Sequence, residues 1–283
     1  MIGDAKTFRG RSRKERETTG SINFNQILRW KKTFADQLEV NAMLGHESYS
    51  YDYTYLLATK TGFLDPGNTD LINGAKMEEM NSYSRKYALE GWFSQLTASY
   101  FNRYYLSLSA RRDASSVFHP DHRWGSFWSV GGSWRLSEES FMKGAKSLFS
   151  DMKIKASYGL QGNDYLFLPN STSARNYKPY MNLYETTSDG TDISLSPKYM
   201  GNENVTWEKN KNLNVGIEFT TVNNYLTGEI EFFQRTTSDM LFNMPVPQST
   251  GFTSQPVNLG DMKNTGIEIT LKFRLCSLLF RRK

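Results

Sequence analysis

Along most of this chain hydrophobic and polar residues alternate with a period of two, the spacing of a strand with one greasy face and one wet one. From Asn212 to Thr220, Leu213, Val215, Ile217 and Phe219 alternate with Asn212, Asn214, Gly216, Glu218 and Thr220. Asn223 and Asn224 follow, a pair that tolerates positive φ, and then Leu226, Gly228, Ile230 and Phe232 alternate with Thr227, Glu229 and Glu231. The two runs predict a tight hairpin. The same pattern places Tyr104, Leu106, Leu108 and Ala110 on one face, and likewise Ile154, Ala156, Tyr158 and Leu160, and Ile267, Ile269, Leu271 and Phe273. Weaker versions at 21–33, 37–48, 87–100 and 124–136 bring the expected total to about nine strands, most of about ten residues or more. Strands of soluble proteins average about five or six residues, so length alone points to a large or membrane-spanning barrel.

The connections carry more. In chain order they are short near 34–36, long over 50–86, short at 101–103, intermediate at 113–123, moderate at 137–151, very long over 162–205, short at 222–224 and long over 239–263. Short and long alternate with one moderate exception, as in outer-membrane barrels, which have short periplasmic turns and longer extracellular loops. The fold expected is therefore all-β, an antiparallel transmembrane β-barrel, with 50–86, 113–123, 162–205 and 239–263 outside the cell. The moderate connection reads as a short helical turn over 137–142, with Ser137 capping it. Trp92, Tyr100, Tyr104, Trp124, Trp128 and Trp134 fall where aromatic girdles would sit. On the polar faces Arg111, Lys153, Lys155, Glu229 and Glu231 could brace the wall or touch a plug inside it. An odd strand count is unusual for a single-chain bacterial barrel, so the expectation is of an incomplete one.

Composition narrows the alternatives. Aromatic residues make up 14% of the chain, which suits pleated sheets. A mean hydropathy of −0.58 and the lack of an apolar run near ~20 residues exclude helical membrane spans but not strands. Cys276 is the single cysteine, so neither a disulfide framework nor a cysteine zinc cluster is available. The charge of +5 is modest. Basic residues cluster only at Lys6, Arg9, Arg11, Arg13, Lys14 and Arg16, interrupted by Glu15, which predicts a flexible basic lead-in over 1–17 and no nucleic-acid partner. The start lacks the apolar core of a signal peptide.

No nucleophile elbow, P-loop or dinucleotide fingerprint appears, so no enzyme is expected. His119, Asp121 and His122 could be drawn as metal ligands, but metal sites need three or four converging donors and Pro120-Asp121 favours a turn; no metal or cofactor is expected. Trp207 could stack on a sugar ring or anchor the barrel rim. The long loop carries Tyr165, Phe167, Tyr177, Tyr180, Tyr184 and Tyr199; of these Tyr177, Tyr180 and Tyr184 are candidates, with Trp207, for contact with substrate or a lid, ordinary loop packing being the alternative.

Several segments together resemble a known family. Leu108-Ser-Ala-Arg-Arg-Asp113, Arg123-Trp-Gly-Ser-Phe127, Trp134-Arg-Leu-Ser-Glu-Glu-Ser-Phe-Met142 and Ile154-Lys-Ala-Ser-Tyr-Gly-Leu-Gln-Gly-Asn163 occur in that order. They are followed by Gly201-Asn202, Trp207-Glu-Lys209, Asn214-Val-Gly-Ile217, Thr237-Ser-Asp-Met-Leu241, Pro245-Val-Pro247 and Asn264-Thr-Gly-Ile-Glu268. The set, over about 85–270, resembles the TonB-dependent outer-membrane transporters of the SusC/RagA type. The resemblance implies import of bulky nutrients, oligosaccharides or peptides, across the outer membrane of Bacteroidetes-type bacteria. It also implies a barrel of about 22 strands around a plug, TonB as energy source and a SusD-like lipoprotein as lid. On this basis 18–275 is expected to be a partial barrel contacting outer-membrane lipid, 276–283 an aberrant or truncated tail, and a plug domain is not expected within the chain. Such a segment alone would not transport. The competing expectation is a soluble or surface β-rich carbohydrate-binding module, in which apolar strand faces meet in a sandwich core.

Overall fold

The computed structural model describes residues 9–65, 67–169, 171–189 and 192–274. In chain order the strands are β1 (Arg11–Phe34), β2 (Leu38–Thr61), β3 (Lys76–Tyr100), β4 (Tyr104–Ser115), β5 (Trp124–Arg135), β6 (Phe149–Asn163), β7 (Leu183–Asp189), β8 (Asp192–Tyr199), β9 (Glu208–Thr221), β10 (Leu226–Ser238), β11 (Leu241–Pro245), β12 (Ser254–Asn258) and β13 (Met262–Phe273). Nine of them form one sheet in the order β1-β2-β3-β4-β5-β6-β9-β10-β13, while β7-β8 and β11-β12 are separate two-stranded hairpins. Within it β4-β5, β5-β6, β6-β9, β9-β10 and β10-β13 all pair antiparallel. This is the all-β architecture that the alternation predicts, with nine strands in the sheet.

Register shows what the alternation does. Ile154, Ile217, Ile230 and Ile269 stand side by side on β6, β9, β10 and β13, and the next row on that face is Ala156, Val215, Phe232 and Ile267. These apolar rows are exposed, Ile269 at 64% and Ile267 at 66%. Among the described residues they do not meet a second sheet, so the sandwich core that a soluble module requires is not built there. The opposite face carries Lys153, Glu218, Glu229 and Thr270 in one row and Lys155, Gly216, Glu231 and Glu268 in the next. A one-residue slip would exchange these faces, and this fixes the register wherever one face needs an apolar solvent.

The short connections are tight. Gln37 N–H donates to Phe34 O at 3.1 Å and Arg103 N–H to Tyr100 O at 3.0 Å. Ala35 and Asp36, like Phe101 and Asn102, all have φ between 48° and 54°. Two consecutive left-handed residues make the turn whose twist matches that of the flanking strands.

Four expectations need correction. Residues 11–17 are not a lead-in: they open β1, where Arg11 pairs with Glu78 at 2.8 Å and Lys14 with Asp70 at 3.0 Å. Residues 50–86 are not one long loop, because β2 runs to Thr61 and β3 begins at Lys76. The connection 136–148 contains two 3-10 segments, Leu136–Glu138 and Ser140–Ser147, and Ser137 caps neither; its Oγ donates to Asp151 at 2.9 Å instead. The long connections 162–205 and 239–263 each enclose a hairpin, β7-β8 and β11-β12. Residues 1–8 and the tail expected at 276–283 lie outside the described residues.

The chain divides into two compact units. One comprises Met1–Phe24 and Ser48–Leu89; its buried residues include Leu57, Thr59 and Thr61 at the end of β2, Phe63 just beyond it and Ser12 of β1. There Ser12 Oγ donates to Thr69 O at 2.8 Å and Lys60 Nζ to Gly74 O at 3.1 Å. The other comprises Asn25–Glu47 and Glu90–Lys283. Its buried hydrophobic residues are Ala114, Val117, Phe118, Leu166, Tyr199, Val205 and Trp207, all at the long-connection end of their strands or in those connections.

Candidate functional site

In the larger unit the long connections fold against one another. Trp207 is 6% exposed. Its ring meets Phe118 at 5.4 Å and Phe127 at 5.3 Å, and its indole N–H donates to Arg123 O at 2.8 Å. Asn258 ties three segments together: its Oδ1 accepts from Thr206 N–H at 2.8 Å, while its Nδ2 donates to Thr206 O and Asp239 O, each at 2.9 Å. Asn202 Nδ2 donates to Pro256 O at 2.9 Å and Asn243 Nδ2 to Phe167 O at 2.9 Å. Side-chain amides suit this work, because one group can satisfy both a backbone N–H and a carbonyl that loops leave unpaired. Asp164 accepts from Ser115 Oγ at 2.6 Å and from Arg175 at 2.7 Å, linking the β4-β5 and β6-β9 connections.

The sequence-predicted residues separate within this assembly. Trp207 is part of its core, so neither a rim anchor facing lipid nor a sugar platform describes it. Tyr177 lies under the Arg175 guanidinium at 5.6 Å, and Tyr180 meets the His119 ring edge-on at 5.8 Å. Tyr184, on β7, is 55% exposed. It shares a hairpin face with Thr186, Ser188, Ile193, Leu195 and Pro197, of which Ile193 is 77% exposed. The other face is polar, with Lys198 paired to Glu185 at 3.3 Å and Thr187 hydrogen-bonded to Ser194 at 2.6 Å. His119 and His122 belong to a turn in which His122 N–H donates to His119 O at 2.9 Å. Among the described residues no group of three or more His, Cys, Asp or Glu side chains converges on a metal position. Burial pushes the Tyr199 phenol above its ordinary value.

The polar wall face has its own electrostatics. Glu218 stands directly opposite Glu229, and Glu231 opposite Glu268, arrangements that repel when unneutralised. Lys155 reaches across β9 to both Glu229 and Glu231, the latter at 3.3 Å, and Lys153 approaches Glu218 at 3.9 Å. Gly216 makes that reach possible: a Cβ there would lie 3.2 Å from Lys155 Cε. Arg111 belongs to a separate cluster with Asp113 at 2.7 Å and Glu47 at 2.8 Å. The charged residues therefore pair within the wall, in two groups rather than one.

Aromatic side chains mark both ends of the apolar face. At the short-turn end Tyr104 stacks on Trp134 at 6.2 Å, and Phe141 meets Trp134 edge-on at 6.1 Å. Glu139 accepts from Tyr104 at 2.7 Å and from Trp134 Nε1 at 3.0 Å, and these hydrogen bonds hold its carboxyl below the usual carboxylate range. At the other end Trp124 pairs with Ala114 and Trp128 with Ala110. From Tyr104 to Ala114 the strand covers roughly 33 Å at about 3.3 Å per residue, or about 25 Å of height at a tilt near 40°, matching the apolar band of outer-membrane barrels.

In the smaller unit one feature was missed by sequence reasoning. Tyr49, Tyr51, Tyr53 and Tyr55 alternate along β2 and share a face. Tyr83 of β3 meets Tyr55 at 5.0 Å and Tyr53 at 5.9 Å, and Tyr87 meets Tyr49 at 6.0 Å. A period-two count of tyrosines alone would have found it.

Comparison with known proteins agrees with this geometry. TonB-dependent receptor SusC from Bacteroides thetaiotaomicron is 34% identical over 205 residues, 70% of this chain and 20% of that protein. TonB-dependent receptor P39 from Formosa agariphila is 29% identical over 248 residues, 86% of this chain and 23% of that protein. The solved structure of the RagAB peptide transporter superposes with a TM-score of 0.85 at 28% identity, covering 94% of this chain and 29% of its own. The chain thus spans about a fifth to a quarter of the length of the curated relatives it matches. Residues 4–281 match the family model described as TonB dependent receptor-like, beta-barrel, and the chain belongs to that family, one of receptors and not of enzymes.

Proposed function

We propose that this chain is a wall segment, with its extracellular loops, of an outer-membrane importer of bulky nutrients, oligosaccharides or peptides. The observation that carries this is the sheet's division into exposed apolar rows of the height of a bilayer core and an ion-paired polar face. Lipid solvates the first and a wet or plugged lumen the second. Transport belongs to a closed barrel of about 22 strands, driven by TonB, to which these nine contribute wall and loops; nine strands alone do not close such a pore. The long-connection side faces outward, as long loops do in this architecture.

A SusD-like surface lipoprotein is the partner proposed for the whole transporter. The apolar face of the β7-β8 hairpin supports contact there, since it presents Tyr184, Ile193 and Leu195 while its other face is polar. Tyr177 and Tyr180 stand in the same connection and complete the proposed contact; Trp207, being buried, is left out. Replacing Tyr177, Tyr180 and Tyr184 together by Ala in the full-length transporter should weaken lipoprotein capture or nutrient uptake at least about tenfold, a loss of about 1.4 kcal/mol. Unchanged capture and unchanged uptake would remove these residues from the contact. Lipid solvation is tested separately, by partition of the chain into bilayers against buffer.

A further inference from the structure

The apolar face of the wall ends in lysines. Beyond the row of Ala156, Val215, Phe232 and Ile267, the next register row on that face is Tyr158, Leu213, Gln234 and Thr265, and the one after it Leu160, Lys211, Thr236 and Lys263. Lys211 and Lys263 thus flank Thr236 at two strand spacings, roughly 10 Å at about 4.8 Å each, and both are exposed. From Phe273 to Lys263 the strand covers roughly 33 Å at about 3.3 Å per residue, the same span as from Tyr104 to Ala114. The lysines therefore stand at the long-connection edge of the apolar band. A lysine facing lipid is costly at the bilayer midplane and nearly free at its edge, where the methylene stem covers apolar neighbours and the ammonium reaches the polar layer.

Their neighbours are already engaged. Lys153 and Lys155 meet glutamates across the polar face, Lys209 meets Asp239 at 2.9 Å, and Arg112 lies 5.4 Å from the Trp124 ring centre. Among the described residues Lys211 and Lys263 have no acidic partner, and Asp261, the other carboxylate close to them in the chain, pairs with neither. The far end of the same face on β9, β10 and β13 is uncharged: Phe219 stands beside Gly228 and Leu271, and Leu226 beside Phe273. Unpaired positive charge on these strands is thus confined to one edge of the apolar band. Two ammonium groups with the Thr236 hydroxyl between them are complementary to a phosphate, whose several oxygens accept charge-assisted hydrogen bonds. A zwitterionic headgroup carries its own cation and gains less from the same lysines.

We infer that Lys211, Thr236 and Lys263 form a docking site for the phosphate of an anionic lipid headgroup in the leaflet on the long-connection side. The inference rests on the reading that the apolar face meets lipid, and the experiment separates the two. The full chain in detergent micelles is titrated with phosphatidic acid, with phosphatidylcholine of the same acyl chains and with inorganic phosphate, and lipid adducts are counted by native mass spectrometry. The variants are Lys211→Gln, Lys263→Gln, the two together, and Lys272→Gln, which removes the same charge from the polar face. Phosphatidic acid should bind the native chain at least about tenfold more tightly than phosphatidylcholine. Each single variant at the site should lose at least about threefold of that preference, the double variant should bring the two lipids within about twofold, and Lys272→Gln should keep the native ratio. Inorganic phosphate at the same concentration should not displace the lipid. Equal binding of the two lipids by the native chain would overturn the headgroup site and leave the lipid-facing wall standing, whereas binding of neither would overturn both. A preference kept in the double variant, an equal loss in Lys272→Gln, or displacement by inorganic phosphate would each overturn the site, the last in favour of a free anion.

Discussion

Within the larger unit, the wall strands β4, β5, β6, β9, β10 and β13 and the connections at their long-loop end solve opposite problems. The wall places its isoleucines outward, with Ile217 at 44% and Ile230 at 46% exposed, and contains none of the buried hydrophobic residues except Ala114 at the end of β4. The connections hide Val117, Phe118, Val205 and Trp207 almost completely and tie their backbones with Asn202, Asn243 and Asn258. Hydrophobic burial against protein holds the second region, as in any water-soluble domain. The wall can gain that term only from lipid, and its own cohesion comes from strand pairing. One chain therefore carries two kinds of core, and a substitution should reveal which kind it touches by the solvent in which it hurts.

The largest effect is expected in the connections. Trp207→Ala removes a ring packed on Phe118 and Phe127 and one of the two donors to Arg123 O, the Ser115 N–H at 3.2 Å being the other, which should cost about 3–5 kcal/mol locally. Amide exchange at Val205, whose N–H is bonded to Asn202 O at 3.3 Å, should accelerate accordingly, equally in micelles and bilayers. A change below about 1 kcal/mol, or equal loosening of β9 and β10 amides, would contradict a separate core.

A somewhat smaller and solvent-specific effect is expected in the wall. Ile230→Arg sets a charge in the row of four isoleucines, at a cost of about 2–4 kcal/mol at the bilayer midplane. Denaturant unfolding from lipid vesicles should show that loss, while exchange in the 205–207 connection stays as in the native chain. An arginine accepted in bilayers without loss of stability would mean that this face does not meet lipid.

Much of the wall could be read from the chain because one residue in two is apolar and register does the rest. Long-range packing could not: Trp207 finds its partners at 118, 123 and 127, and no local signal says which side of a tryptophan will be covered. Two misreadings have a more specific cause. The Ser-Tyr alternation at 48–55 looks polar on hydropathy, although its tyrosines share one face as strictly as the isoleucines of β10 do. The charges at 11–17 look like a solvated arm, but Arg11, Arg13 and Lys14 each find an acidic partner. Turn chemistry was half legible: Asp36 and Asn102 suit left-handed positions, while Ala35 and Phe101 do so only because the strand register holds them there.

The smallest effect is expected at the short-turn rim, where wall and water meet. Glu139 is held below its ordinary value by hydrogen bonds from Tyr104 and Trp134. A carboxyl lowered in the fold contributes stability that is present above its unfolded value, 4.5, and is lost as pH falls through the lower folded value. Unfolding midpoints should therefore decline as pH falls below 4.5, and Glu139→Gln, which still accepts both hydrogen bonds but does not titrate, should flatten part of that decline. The variant should leave exchange around Trp207 untouched, since Glu139 is far from that core in sequence and absent from its contacts. An unchanged slope in Glu139→Gln would show that the aromatic belt at this rim is held by lipid and ring stacking, with the carboxylate a bystander.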